Sequence, residues 1–195
     1  MKSTLNNDKC TKNDYRQLFA GSAEPLRWLC SSLTGDEQLT DTIQDAALAQ
    51  SLKDAGQVFR EWMMSWARRV VIKTCIQTMR PWQSSLAPAA YQLYPMRFDA
   101  IDPGHPARLV NLPPEVLQQR LLRLDVLSRF VFVMRAIEGY LRRETALLLN
   151  IDDRACEWIY LRAARNLHQH EEIDSGSQTI EWPLEADWGL AQAGD

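Results

Sequence analysis

Arg154, Trp158, Arg162 and Arg165 recur at i, i+4, i+8 and i+11, which places three guanidiniums and an indole on one side of a helix that carries them. A guanidinium fork matches the oxygens of a phosphate or the major-groove edge of guanine, so this row is equipped to hold a polyanion. Trp158 suits three uses: packing on the rest of the chain, packing on a partner, or stacking on a base. A second basic set is Arg60, Arg68, Arg69, Lys73 and Arg80, with Glu61 the one acid in its midst. Arg142 and Arg143 add a basic pair that suits backbone contact. Opposite in sign are Glu37, Asp41 and Asp45 at i, i+4, i+8, with Gln44 beside them. That acidic ridge would steer a basic partner surface and fix its register.

Covalent chemistry finds no comparable grouping. The chain has three histidines, and His168 and His170, two apart on a helix, would not face one another. No His, Cys and carboxylate set has metal-ligand spacing, so no metal site is expected. There is no glycine-rich phosphate loop and no G-x-S-x-G element. The expectation is a binding protein without catalytic residues, cofactor or small-molecule substrate.

The formal net charge of -3 is unevenly spread. Residues 171–195 hold seven acids and no Lys or Arg, leaving 22 basic against 18 acidic residues in the rest. The part of the chain rich in hydrophobic residues is therefore basic. Four cysteines lie far apart with no CxxC pair, three of them on apolar stripes, which predicts buried free thiols. A polar N-terminus, no signal-peptide core and no membrane-length apolar run predict a cytoplasmic protein away from the membrane.

Strand patterns are nearly absent, so the elements that must position these residues are helices. Residues 14–32 read as a first helix, with disruption expected at Gly21 and Pro25. Thr34-Gly35-Asp36-Glu37 has the form of a capping box that starts a second helix, with Leu39, Ile43, Ala46 and Ala47 as its core face. A third helix is predicted over 58–80, buried along Phe59, Trp62, Met63, Trp66, Val70 and Thr74 and stopped by Pro81. Here Trp62 and Trp66 read as core rather than as a stacking platform. Residues 81–114 hold seven of the nine prolines and read as a linker.

A long helix then opens at Leu112-Pro113-Pro114-Glu115 and buries Leu117, Leu121, Leu124, Leu127, Val131 and Met134. It runs into Glu138-Gly139-Tyr140; a short helix to Leu149, a turn at 150–153 and a last helix follow, the layout of a helix-turn-helix. Cys156, Ile159, Tyr160, Ala163 and Leu167 form the inward stripe of that last helix. The predicted class is all-α: two small helical domains, residues 1–80 and 113–170, joined by a Pro-rich linker at 81–112, with an acidic tail at 171–195. The tail reads as disordered, or as an autoinhibitory or partner segment anchored by Trp182 and Trp188.

In this order the motifs resemble those of a bacterial RNA polymerase sigma factor of the extracytoplasmic-function group. Leu33-Thr34-Gly35-Asp36 with Asp41-Thr42-Ile43-Gln44-Asp45 is similar to the family's polymerase-binding helix of sigma domain two. Trp62-Met63-Met64-Ser65-Trp66-Ala67-Arg68 is similar to its promoter-melting, minus-ten helix. Leu112-Pro113-Pro114-Glu115 and Phe132 to Tyr140 resemble its sigma domain four, whose closing helix Arg162-Ala163 and Leu167 also match. The chain departs from the pattern at Arg69 and Lys73, where the family often has Asn and Asp, and at Glu157 and Ile159, where it has Lys and Arg.

The resemblance implies a sigma factor that binds core RNA polymerase through Asp41, Gln44 and Asp45 and directs transcription initiation. It implies promoter DNA contact by Arg68, Arg69, Lys73, Arg142, Arg143, Arg154, Trp158, Arg162 and Arg165, with an anti-sigma factor as a candidate further partner. The alternative is a diverged sigma-like regulator or adapter that binds polymerase or another protein without specific DNA reading. Glu157 keeps that alternative open, because a carboxylate facing phosphate is repulsive.

Overall fold

The helix starts follow from short polar residues that satisfy free backbone N–H groups. In the computed structural model, which describes residues 9–21, 23–79 and 112–174, α1 (Lys12–Gly21) opens on such a pair. The Thr11 hydroxyl accepts from the Asp14 N–H at 3.2 Å, and the Asp14 carboxylate accepts from the Thr11 N–H at 2.7 Å. α1 is described to Gly21 and α2 (Ala23–Thr34) from Ala23, and α2 runs through Pro25 without the disruption expected there; residue 22, beside the expected disruption at Gly21, lies outside the described residues.

Between α2 and α3 (Glu37–Lys53) the cap differs from the expected one. Thr34 ends α2, and the Asp36 carboxylate caps α3 by accepting from the Leu39 N–H at 2.9 Å. Gly35 turns the chain at φ +71°, a conformation that a side chain resists. The buried face of α3 is correspondingly Thr40, Ile43, Ala47 and Ser51, with Leu39 half-buried and Ala46 exposed.

The third predicted helix starts later than its apolar period suggested. Lys9 and Phe59 form an isolated β-bridge, a 3-10 turn covers Arg60–Trp62, and α4 runs Met63–Thr78. A 3-10 turn advances each residue by more than an α turn, so Phe59 and Trp62 fall out of phase with α4. They are 41% and 59% exposed, which overturns their assignment to the core. The buried set of α4 is Ala67, Val70, Val71, Ile72, Cys75 and Ile76, with Trp66 and Thr74 half-buried. Arg80, Pro81 and the predicted linker lie outside the described residues, as does the tail from 175 onward.

The long helix expected after Pro114 is two helices that share the predicted stripe. α5 (Pro114–Leu122) and α6 (Val126–Phe132) are separated at Asp125, whose carboxylate caps α6 by accepting from the Ser128 N–H at 2.9 Å. Leu117, Leu121, Leu124, Leu127, Val131 and Met134 are all buried, so the period survives the break. α6 closes in a π turn over Val133–Ile137, α7 spans Arg142–Leu149, and Asn150 at φ 54° turns the chain into α8 (Asp153–Asp174). Cys156, Ile159, Ala163 and Leu167 of α8 are buried as predicted, and Tyr160 is half-buried.

Among the described residues the fold is α-helical without a strand element, and no helix is long and apolar enough to cross a membrane. The first segment (9–79) packs α2, α3 and α4 together, the second (112–174) packs α8 on α6 and α7, and the two meet. α2 lies against α5 and α6, and α4 against α7, so buried residues of both segments form one continuous core. Each buried leucine contributes roughly 1.5–3 kcal/mol by leaving water. All four cysteines are free thiols and buried, in agreement with the sequence expectation.

Candidate nucleic-acid interface

Because α4 begins only at Met63, its basic residues are offset from the exposed aromatic pair at its start. Phe59 and Trp62 meet edge to face at 5.5 Å and line a cleft of about 890 Å³ with Trp66, Arg68, Arg69 and Tyr140. The α4 wall of this cleft comes from the first segment and the Glu138-Gly139-Tyr140 wall from the second. The Trp66 indole N–H is buried there and finds no acceptor among the described residues. The exposed aromatics were missed in the sequence because the 3-10 turn at Arg60–Trp62 breaks a period that otherwise reads as continuous.

The arginines of α4 are held by acids of the second segment. Arg68 Nε donates to Glu138 Oε2 at 2.9 Å and to Oε1 at 3.1 Å, and Arg68 Nη2 donates to Oε1. The Glu138 side chain is 7% exposed, and this contact holds the Arg68 guanidinium above its ordinary pKa. Arg69 lies 5.5 Å from the centre of the Tyr140 ring and 3.9 Å from the Glu144 carboxylate. Lys73 is exposed on the same helix, beside a second cleft of about 580 Å³ that Leu147 and Leu148 close from α7. Sequence spacing carried no sign of Glu138, since it lies 70 residues from Arg68.

The second basic row is also partly engaged. Arg162 donates to the Asp125 carboxylate at 2.9 Å and the Ser128 hydroxyl at 3.2 Å, and lies 4.6 Å over the Trp158 ring. Trp158 thus packs within its own helix face and is half-buried. Arg142 pairs with Asp153 at 2.6 Å, which ties α7 to α8. Arg143, Arg154 and Arg165 are exposed.

Glu157 and Ile159, the two departures in this helix, have structural explanations. Arg135 donates to Glu157 at 2.6 Å while lying 4.1 Å over the Tyr160 ring, so the carboxylate is compensated from within the fold. Ile159 is 1% exposed, and a cation there would be buried in the core.

On α3 the acidic ridge stands at the surface. Asp41 pairs with Arg27 of α2, Gln44 donates to the Leu26 carbonyl at 2.9 Å, and Asp45 is exposed. Among the described residues no group of three or more His, Cys, Asp or Glu side chains is placed to hold a metal ion. The geometry thus offers three things: an acidic ridge on α3, a cleft with exposed aromatic and basic residues, and exposed arginines on α7 and α8. The chain matches no protein-family model and no curated protein.

Proposed function

We propose that the chain is a sigma-like transcription factor that docks on core RNA polymerase through Asp41, Gln44 and Asp45 and contacts promoter DNA. The observation that carries the reading is the exposed Phe59–Trp62 pair in one cleft with Arg68 and Arg69, with Lys73 further along the same helix. Unpaired bases stack on aromatic faces while cations follow the phosphates, a surface suited to an opened strand. Arg143, Arg154 and Arg165 on the helix-turn-helix supply duplex contact upstream. Polymerase does the chemistry, so this protein needs no catalytic group or cofactor of its own.

A second reading is an adapter that binds polymerase or another protein without reading DNA. It is favoured by the internal pairing of Arg68, Arg69, Arg142 and Arg162 with acids of the same chain. Co-purification with core RNA polymerase, then run-off transcription on a genomic promoter pool, separates the two. Polymerase binding with promoter-specific transcripts is the expected result; polymerase binding with no transcripts identifies the adapter. No binding, or binding unaltered by Asp41→Arg with Asp45→Arg, overturns the docking role of the ridge.

A further inference from the structure

The two segments meet in two patches of different physical character. Along α2, α5 and α6 the contact is closed and specific. The Trp28 indole N–H donates to the Pro114 carbonyl at 3.0 Å, Gln118 Nε2 donates to the Ser31 hydroxyl at 2.8 Å, and Arg129 Nη1 donates to the Leu33 carbonyl at 3.3 Å. Leu33 and Leu121 are completely buried between these groups' helices. Along α4 and α7 the contact is loose. The two clefts of about 890 and 580 Å³ both open on Trp66, Arg69, Tyr140 and Glu144.

At the second patch the strongest contact is the fork between Arg68 and Glu138, supported by Arg69 against Tyr140 and Glu144. Its position follows from the local fold. The π turn inserts a residue into the end of α6, and Gly139 at φ +71° then redirects the chain, which leaves Glu138 at the corner facing α4. No side chain crowds Gly139, so the turn has room to change.

We infer that Arg68 and Glu138 form an autoinhibitory latch: in the free protein the second segment covers Arg68 and holds the exposed Arg69 beside Glu144, and the seam opens about the α2–α5–α6 contact to release both. The inference rests on the nucleic-acid reading of that cleft and adds how the cleft is regulated. With Nε and Nη2 taken up by the Glu138 carboxylate, the bidentate edge of Arg68 that best fits a phosphate is occupied, so strand binding and the latch compete for it. The acidic ridge on α3 is outside this seam, with the Asp41 side chain 62% exposed. That arrangement sets an order: docking is available to the closed protein, and strand contact follows opening. In the closed state the apparent DNA affinity is reduced by the fraction of molecules that are open.

The test uses the full chain with spin labels at Lys53→Cys and Leu147→Cys, two exposed positions on either side of the seam. Their separation is read by pulsed dipolar spectroscopy, and binding is read with a fluorescein-labelled single-stranded deoxyoligonucleotide. Glu138→Gln with Glu144→Gln, at unchanged helicity, is expected to lengthen and broaden the distance distribution. It should also raise oligonucleotide affinity about fivefold or more. Should that variant fold poorly, Glu138→Asp with Glu144→Asp retains the charge, shortens the reach and is expected to open the seam to a smaller extent. An unchanged distance in a folded variant overturns the latch. A lengthened distance with no gain in oligonucleotide binding upholds the latch and overturns the nucleic-acid reading of the face beneath it.

Discussion

The Arg129 guanidinium is held against the Gly35 turn, donating to the Leu33 carbonyl at 3.3 Å and, from its other arm, to the Leu124 carbonyl at 3.3 Å. It is 7% exposed, and burial pushes its pKa down. A Cβ at Gly35 would stand 2.8 Å from Arg129 Nη1 and 3.2 Å from the Leu122 side chain. Gly35 therefore answers two demands, a positive φ and the close passage of a side chain from the other segment.

Gly35→Ala is expected to lower stability by about 1–3 kcal/mol, combining αL strain with displacement of Arg129. Gly139→Ala, at the same φ of +71° but with nothing within 4 Å, reports strain alone. Its loss should be the smaller, about 1–2 kcal/mol. Denaturant unfolding of the two variants measures the difference, and equal losses would place Arg129 away from the turn.

Asp36→Ala removes the acceptor that starts α3 and is expected to lower stability by about 1 kcal/mol. Asp36→Asn retains an acceptor oxygen and should lose only a few tenths. A neutral alanine variant in thermal unfolding would return the capping role to Thr34.

Cys156, in the first turn of α8, donates its S–H to the Arg142 carbonyl at 3.7 Å, and burial pushes its thiol up to about 11. The folded state thus keeps its proton where the unfolded thiol has already lost it. The stability this contributes is complete below the ordinary thiol range near pH 9 and is lost as pH climbs toward 11. Between pH 8 and pH 10, the wild-type chain should lose more unfolding free energy than Cys156→Ala. Parallel pH profiles would show that the thiol titrates alike in both states.

Arg143 and Arg154 are exposed, so Arg143→Ala with Arg154→Ala should leave thermal stability within about 0.5 kcal/mol. If both meet phosphate, affinity for a promoter duplex falls and the slope of log affinity against log salt becomes shallower by about two. An unaltered slope would place both side chains away from DNA. Arg162→Ala is a poorer probe, because it also releases Asp125 and Ser128 and loosens α8 on α6.

What the sequence by itself determined was set by local chemistry and by period. The all-helical class, the buried apolar row from Leu117 to Met134, the inward stripe of α8 and the burial of four cysteines were legible, since each follows from local hydrophobic spacing. The break at Asp125 was not legible, because the apolar period runs through it unchanged and only the cap marks the new start. Phe59 and Trp62 shared the apolar period of α4 yet stand in solvent, since a 3-10 turn shifts their phase. The candidate DNA arginines were found as residue types at helical spacing, while their occupation was decided by tertiary structure alone. Arg68 meets Glu138 and Arg129 meets Leu33 across 70 and 96 residues, and no local rule reaches that far. Periodicity says which face of a helix is buried; which face of another helix covers it is settled only when the segments pack.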